Sequence, residues 1–295
     1  MEKYTKKELD FALKLAQKVT GEQDIKQAEI ENIPVSQFPK EFQDTVKSCD
    51  YDDLGDIEPH DVRNLIVNNT AQAIKAKLEP AVDDIPYKVL PKSSVMYRIQ
   101  GTGHDNATYY SDGTEGRYNH HQGKAKIMYA AEKPDTCLAE LTERVDVNKG
   151  KGPNSMHTVV SVDFFKENDI GTLTCKRELK FLDVSVLGTR LKFSGDLVDT
   201  HNYRNTQALV AASEELGITC DGFAYTGVHY QNGSAYALKE SPNNPQLDTV
   251  DLKKLSEYRV DTSNLPVSKF TSENSDISMM DVMERVLGGK VIPSD

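Results

Sequence analysis

Residues 94–140 read SVMYRIQGTGHDNATYYSDGTEGRYNHHQGKAKIMYAAEKPDTCLAE. Two short apolar runs stand near its ends, SVMYRIQ at 94–100 and IMYAA at 127–131, and their β-formers predict strands. Pro134 fits the first turn of a helix, because its fixed φ suits that position, and DTCLAELTERV continues it. Strand, long turn, strand and helix in this order place the segment in an α+β domain. The turn between the strands is unusual in content. GTEGRYN at 113–119 joins two glycines to an arginine, a flat ring and an amide. The glycines are expected to let the chain approach a ligand closely.

Outward from this stretch the elements follow local rules. Thr5 and Glu8 have capping-box spacing, and Leu9, Ala12, Leu13, Ala16 and Val19 recur at helical intervals. HDVRNLIVNNTAQAIKAKLEP predicts a second helix ending before Pro80, and ENIPVSQFPKEF, with its two prolines, predicts a loop. Downstream, HTVVSVDF and LKFLDVSV predict strands, YRNTQALVAASEELG a helix that stops at Gly217, and ITCDGFAYTGV a strand. SPNNPQLDTVDLKKLSEYRV is polar and reads as a linker or surface crossing. ISMMDVMERVLGG predicts a short helix with Ile277, Met280, Met283 and Leu287 on one packed face. These readings divide the chain into a helical accessory region at 1–93, an α+β domain at 94–240 and a C-terminal extension at 241–295.

Composition narrows the function. The net charge is −11 and the isoelectric point is about 5.2, which disfavours a phosphate-tracking surface and hence a nucleic-acid partner. No run is long enough to span a bilayer. No secretory signal is visible, so the expected site of action is cytoplasmic, with delivery by a signal-independent route left open. Cys49, Cys137, Cys175 and Cys220 are widely spaced, which suggests free thiols and neither a disulfide framework nor a zinc site. Asn119-His120-His121 reads as a solvated loop, since adjacent histidines do not readily share one ion. GTGHD at 101–105 lacks the lysine of a phosphate loop and reads as a turn.

Four features in the decisive stretch carry chemistry: Arg98 after an aromatic residue, Arg117-Tyr118-Asn119 in the turn, Tyr129 on a strand, and Glu140 on the following helix. Singly, each has an ordinary explanation, such as an edge charge, a solvated loop cation, a core tyrosine, or a Glu140–Arg144 pair one turn apart. Together they make a kit. Two arginine forks can hold phosphate oxygens bidentately. A tyrosine face can stack on a heterocycle, and a carboxylate can stabilise positive charge developing on a sugar carbon. That set suits cleavage of the nicotinamide–ribose bond of NAD+, with no metal required.

The order and spacing of these residues resemble the RES domain. The family pattern is an arginine after an aromatic, a glycine-arginine-aromatic-asparagine turn, a strand tyrosine, and a leucine-bearing helix with the glutamate. Tyr97-Arg98, Gly116-Arg117-Tyr118-Asn119, Tyr129 and Leu138-Ala139-Glu140 match it, with Tyr118 where tryptophan is usual. A later element resembles DGFAYTG at 221–227, with Thr226 where serine is usual. The resemblance spans about 94–240. It implies a mixed-sheet α+β core similar to ADP-ribosyltransferases, and a toxin-like enzyme that consumes NAD+ by hydrolysis or phosphorolysis. A protein mono-ADP-ribosyltransferase and an inactive NAD-binding module are the competing implications. It further implies catalytic roles for Arg98, Tyr129 and Glu140, NAD-binding roles for Arg98, Arg117, Tyr118, Asn119, Tyr129 and Thr226, and a cognate antitoxin or immunity protein as partner.

Overall fold

The structure is a computed structural model, which describes residues 4–49, 57–142, 158–190, 203–226, 233–265 and 276–293. In chain order, α1 is Lys6–Thr20, α2 Gln27–Ile30, α3 Lys40–Ser48 and α4 Pro59–Leu78. Then come β1 Tyr87–Leu90, β2 Val95–Gly101, β3 Ile127–Ala131, α5 Pro134–Thr142, β4 Val159–Ser161, α6 Val162–Glu167, β5 Asn168–Cys175, β6 Leu179–Asp183 and α7 Val184–Arg190. After these follow α8 Tyr203–Glu215, β7 Gly222–Thr226, β8 Ser234–Lys239, β9 Leu247–Lys254, β10 Arg259–Asp261, β11 Asp276–Ser278, α9 Met279–Asp281 and β12 Lys290–Ile292.

The chain gathers into two units that interleave along the sequence. One comprises Met1–Asp84, Asp112–Ala125 and Leu191–Thr219, the other Ile85–Ser111, Lys126–Arg190 and Cys220–Asp295. The first unit is helical. Its first helix begins as the capping box predicts: the Glu8 N–H donates to Thr5 Oγ1 at 3.3 Å and the Thr5 N–H to Glu8 Oε2 at 2.7 Å. Phe11, Leu15, Ile30, Ile33, Phe42, Val62 and Ile66 form its core. Burying each such side chain contributes about 1.5–3 kcal/mol. α8 packs along α4 and ends at Gly217, whose φ of +66° a side chain would resist. Arg204, at the start of α8, is fully buried and meets Glu22, Asp24 and Glu29. Burial opposes its charge, yet those carboxylates hold the guanidinium above its ordinary value.

The second unit is built on an eight-stranded sheet in the order β1-β6-β7-β8-β3-β2-β5-β9. The sheet is mixed: β6 and β7 run parallel, the other neighbours antiparallel. The protein is therefore α+β. One face carries Met96, Met128, Ala130, Leu173, Phe181, Tyr236 and Leu238. The other packs Ile99, Ala131 and Ile170 against Cys137 and Leu138 of α5 and against Val260, Ile277, Met279 and Met283 from the chain's end.

Several sequence expectations change here. HTVVSVDF is a strand only at Val159–Ser161; Ser161 Oγ then accepts from the Phe164 N–H at 3.3 Å and caps α6. LKFLDVSV turns helical at Val184, where Asp183 Oδ1 accepts from the Val186 N–H at 3.0 Å. In both places a capping side chain overrides β-propensity. ENIPVSQFPKEF holds a 3-10 turn at Val35–Gln37, and α3 begins at Lys40. The polar segment after Glu240 is no linker: Leu247–Lys254 forms the outer strand β9. Its bulge at Val250 and its Lys253 and Lys254 protect a free edge. Ile277 belongs to β11, and the helix after it widens to a π-turn at Val282–Val286. Arg144 and His157 lie outside the described residues.

Candidate active site

Arg98, Tyr129, Glu140 and Thr226 lie in the sheet unit, and Arg117, Tyr118 and Asn119 in the helical unit. Within the sheet unit, β2 and β3 are neighbours joined by one registered pair, Tyr97 opposite Ala131. Paired residues share a face, so alternation puts Tyr129 with Tyr97 and Ile99 on the α5 side. Arg98 falls on the opposite face, with Met96, Met128 and Ala130. Glu140 is half-buried on α5, which packs on β2, β3 and β8. Thr226 ends β7 opposite Ser234. Its hydroxyl lies 3.1 Å from Ser185 Oγ, which also accepts the Thr226 N–H at 3.1 Å. The structure thus brings Tyr129 and α5 to one side of the sheet and Arg98 and Thr226 to the other.

Past the Tyr97–Ala131 pair the two strands part. Ser111 takes the place beside β3, exchanging backbone hydrogen bonds of 3.0 and 2.9 Å with Ile127. The loop leading to Ser111 is held from β2. Arg98 Nη1 donates to the carbonyls of Ala107, at 3.1 Å, and Tyr109. Gln100 Nε2 donates to the Asn106 carbonyl at 2.9 Å. Burial pushes the Arg98 guanidinium below its ordinary value. Tyr110 donates its hydroxyl to Gln246 Oε1 at 2.7 Å, and burial raises that phenol to about 12. Beside the loop is a cavity of about 440 Å³, lined by His104, Asn106, Thr108, Tyr109, Lys126 and Glu240 among others. The His104 and Tyr109 rings stack there with centroids 5.2 Å apart. The volume is in the range of small-ligand clefts.

In the helical unit the 113–119 turn is tied down by polar side chains. Asn119 Nδ2 donates to the Gly113 carbonyl, and its N–H to the Gly116 carbonyl at 3.1 Å. Gln207, buried on α8, donates to the carbonyls of Thr114 at 2.7 Å and Gly116 at 3.0 Å. Tyr118 is fully buried, and the buried Arg117 guanidinium sits 5.4 Å from the centroid of the Tyr203 ring. Neither Gly113 nor Gly116 takes a positive φ; the left-handed glycine is Gly123, at +66°. The turn is therefore shaped by amide-to-carbonyl bonds, not by glycine freedom. His120 and His121 are no solvated loop. Both are buried and stacked, with centroids 4.8 Å apart, and His121 Nε2 lies 2.9 Å from Asn68 Oδ1.

Sequence reasoning missed Gln100, Gln207 and the Lys88–Glu132–Tyr236 cluster. Lys88 Nζ is 2.8 Å from Glu132, and Tyr236 donates its hydroxyl to the same carboxylate. A lone glutamine in a strand or helix carries no local signal of the carbonyl it will bind. Lys88 and Glu132 are separated by two strands and a long turn.

The RES-domain family model matches residues 95–261. No curated protein matches the chain significantly. Among solved structures, the crystal structure of the M. tuberculosis MbcT–MbcA toxin–antitoxin complex is similar at 16% identity and a TM-score of 0.42, covering 62% of this chain and 90% of that one. The family match takes in the whole of β2, β3, α5, β7 and β8, with every proposed site residue, and continues through β9 and β10. On that match, which spans more than half of its length, the chain belongs to the RES-domain family.

Proposed function

We propose that this protein is a toxin-type enzyme that consumes NAD+ by cleaving its nicotinamide–ribose bond. The observation that carries the reading is the RES-domain match over 95–261, which contains Arg98, Tyr129 and Glu140 on successive elements. NAD+ is the substrate, and its nicotinamide is already a good leaving group. Arg98 grips phosphate oxygens with the edge of its fork from the sheet face opposite Tyr129, so in this reading the dinucleotide crosses where β2 and β3 part. Tyr129 offers its ring to the nicotinamide. Glu140 orients the ribose hydroxyls and stabilises the oxocarbenium-like charge as the bond breaks. Thr226 contributes a hydroxyl that lies beside Ser185. For the 113–119 turn, Arg117 is proposed as a phosphate-binding cation, with Tyr118 and Asn119 fixing its place. The segment 94–240 is proposed as the catalytic part of the chain, acting in the cytoplasm and restrained by a cognate antitoxin.

The test is to incubate pure protein with NAD+ and resolve the products by mass. Nicotinamide with ADP-ribose identifies hydrolysis, and ADP-ribose 1″-phosphate identifies phosphorolysis. A mass gain on protein identifies transfer. Unchanged NAD+ in the presence of folded protein, with water, phosphate and candidate protein acceptors supplied, defeats the reading.

A further inference from the structure

Gly171 stands directly across the β2–β5 ladder from Arg98. The space its missing side chain leaves is filled by the loop. A Cβ built on Gly171 would lie 2.2 Å from Ala107 Cβ, whereas non-bonded carbons settle at about 3.5–4.0 Å. A methyl carbon fixed to the backbone has no rotamer by which to escape, so any side chain at 171 must displace the loop. Ala107 is fully buried and held at three points. Its N–H donates to Thr249 Oγ1 on β9 at 3.0 Å, its carbonyl accepts from Arg98 Nη1 at 3.1 Å, and its Cβ rests on Gly171. The φ of Gly171 is not positive, so its need for glycine is a matter of space alone.

The seat matters for Arg98. Both bonds from the guanidinium to the loop leave from Nη1, to Ala107 and Tyr109. Two fixed carbonyls on one nitrogen set the plane of the group. The opposite edge, Nη2 and Nε, is the pair that matches two phosphate oxygens. We propose that Gly171 is a positioning residue for Arg98: by carrying no side chain it seats residues 106–109 against β5, and their carbonyls hold the guanidinium edge-on to the substrate's phosphates. This inference rests on the NAD+ reading above. Gln100, through the Asn106 carbonyl, and Thr249, through the Ala107 N–H, hold the same seat.

The experiment is a steric swap. Gly171→Ala should raise KM for NAD+ by about tenfold to a hundredfold, as a displacement near 1 Å at a binding group can do, with a smaller change in kcat. Gly171→Ala combined with Ala107→Gly removes the clashing carbon and should return KM close to the wild-type value. Wild-type KM in folded Gly171→Ala, or a folded double variant that stays impaired, overturns the proposal. Should Gly171→Ala not fold, Thr249→Val removes the acceptor for Ala107 without adding volume, and an unchanged KM there overturns it equally. The chain has no tryptophan, so Tyr109→Trp supplies a loop reporter independent of turnover. Its emission should shift on Gly171→Ala and return in the double variant; unshifted emission overturns the seating. Wild-type protein that ignores NAD+ while the reporter responds defeats the functional reading and leaves the seat standing.

Discussion

Lys88, on the outermost strand β1, closes a 2.8 Å ion pair with Glu132 at the end of β3, four places further along the sheet. In a flat sheet four strand spacings come to about 19 Å, beyond the reach of a lysine. The sheet therefore curls over these strands, and this pair ties β1 back to β3 like a clasp. Lys88 also donates to Ser234 Oγ, and Tyr236 donates to Glu132.

The clasp has a pH signature. Burial alone would raise the Glu132 carboxyl, but hydrogen bonds from Lys88, Tyr236 and Ser234 together hold it below its ordinary value. A depressed folded pKa means stability that is fully present above the unfolded value, about 4.3, and lost as pH falls through the lower folded one. Urea denaturation from pH 5 down to about pH 2.5 should show a shallower acid loss in Glu132→Gln than in wild type. Parallel curves would mean that the clasp contributes nothing to acid stability.

His121 acts in a higher window. Burial first, then the charges of His120, Arg63, Lys124 and His60, lower its imidazole from 6.5 to about 4. Between those values the unfolded chain binds a proton that the folded chain refuses, so stability falls as pH drops from about 6.5 to about 4. The full effect is on the order of 3 kcal/mol. His121→Asn should cost stability at neutral pH yet flatten this limb, and an unchanged slope would remove His121 from the acid response.

Arg204 is the structural keystone of the helical unit. Arg204→Ala removes the cation shared by Glu22, Asp24 and Glu29 and leaves the mostly buried Glu29 without it, while Glu22 keeps its 2.9 Å pair with Arg63. It should destabilise that unit by about 3–5 kcal/mol, read as a lower urea midpoint. A loss under about 1 kcal/mol would show that water replaces the guanidinium freely.

Glu140→Gln keeps shape and removes charge. It should lower NAD+ turnover by about 10²–10³-fold with the melting temperature nearly unchanged. Near-wild-type turnover in the folded variant takes Glu140 out of the mechanism. Tyr129→Phe keeps the ring and should retain most activity, whereas Tyr129→Ala should lose it; equal losses would assign the role to the hydroxyl.

Arg117→Lys keeps the charge and loses the planar fork. It should weaken NAD+ binding, measured by calorimetry against a non-hydrolysable analogue, and also disturb packing on Tyr203. Full affinity in the lysine variant reduces Arg117 to a general cation.

By itself the sequence determined the elements whose causes are local. The capping box of Thr5 and Glu8, the strands Val95–Gly101 and Ile127–Ala131, and the helix opened by Pro134 depend on neighbours a few residues away. The order of Arg98, Arg117, Tyr129 and Glu140 likewise identified the family, because spacing along a chain is all that identification requires. Only the tertiary structure decided what those residues touch. Leu247–Lys254 looks like a linker until β5 supplies its hydrogen bonds. His120 and His121 look solvated until Asn68 and Glu214 enclose them. Gly171 carries no motif, and its meaning comes from Ala107, brought over it by a loop anchored on β2 and β9. Backbone propensity acts over a few bonds, whereas steric exclusion and the pairing of buried polar groups act between surfaces that meet only when the chain has folded.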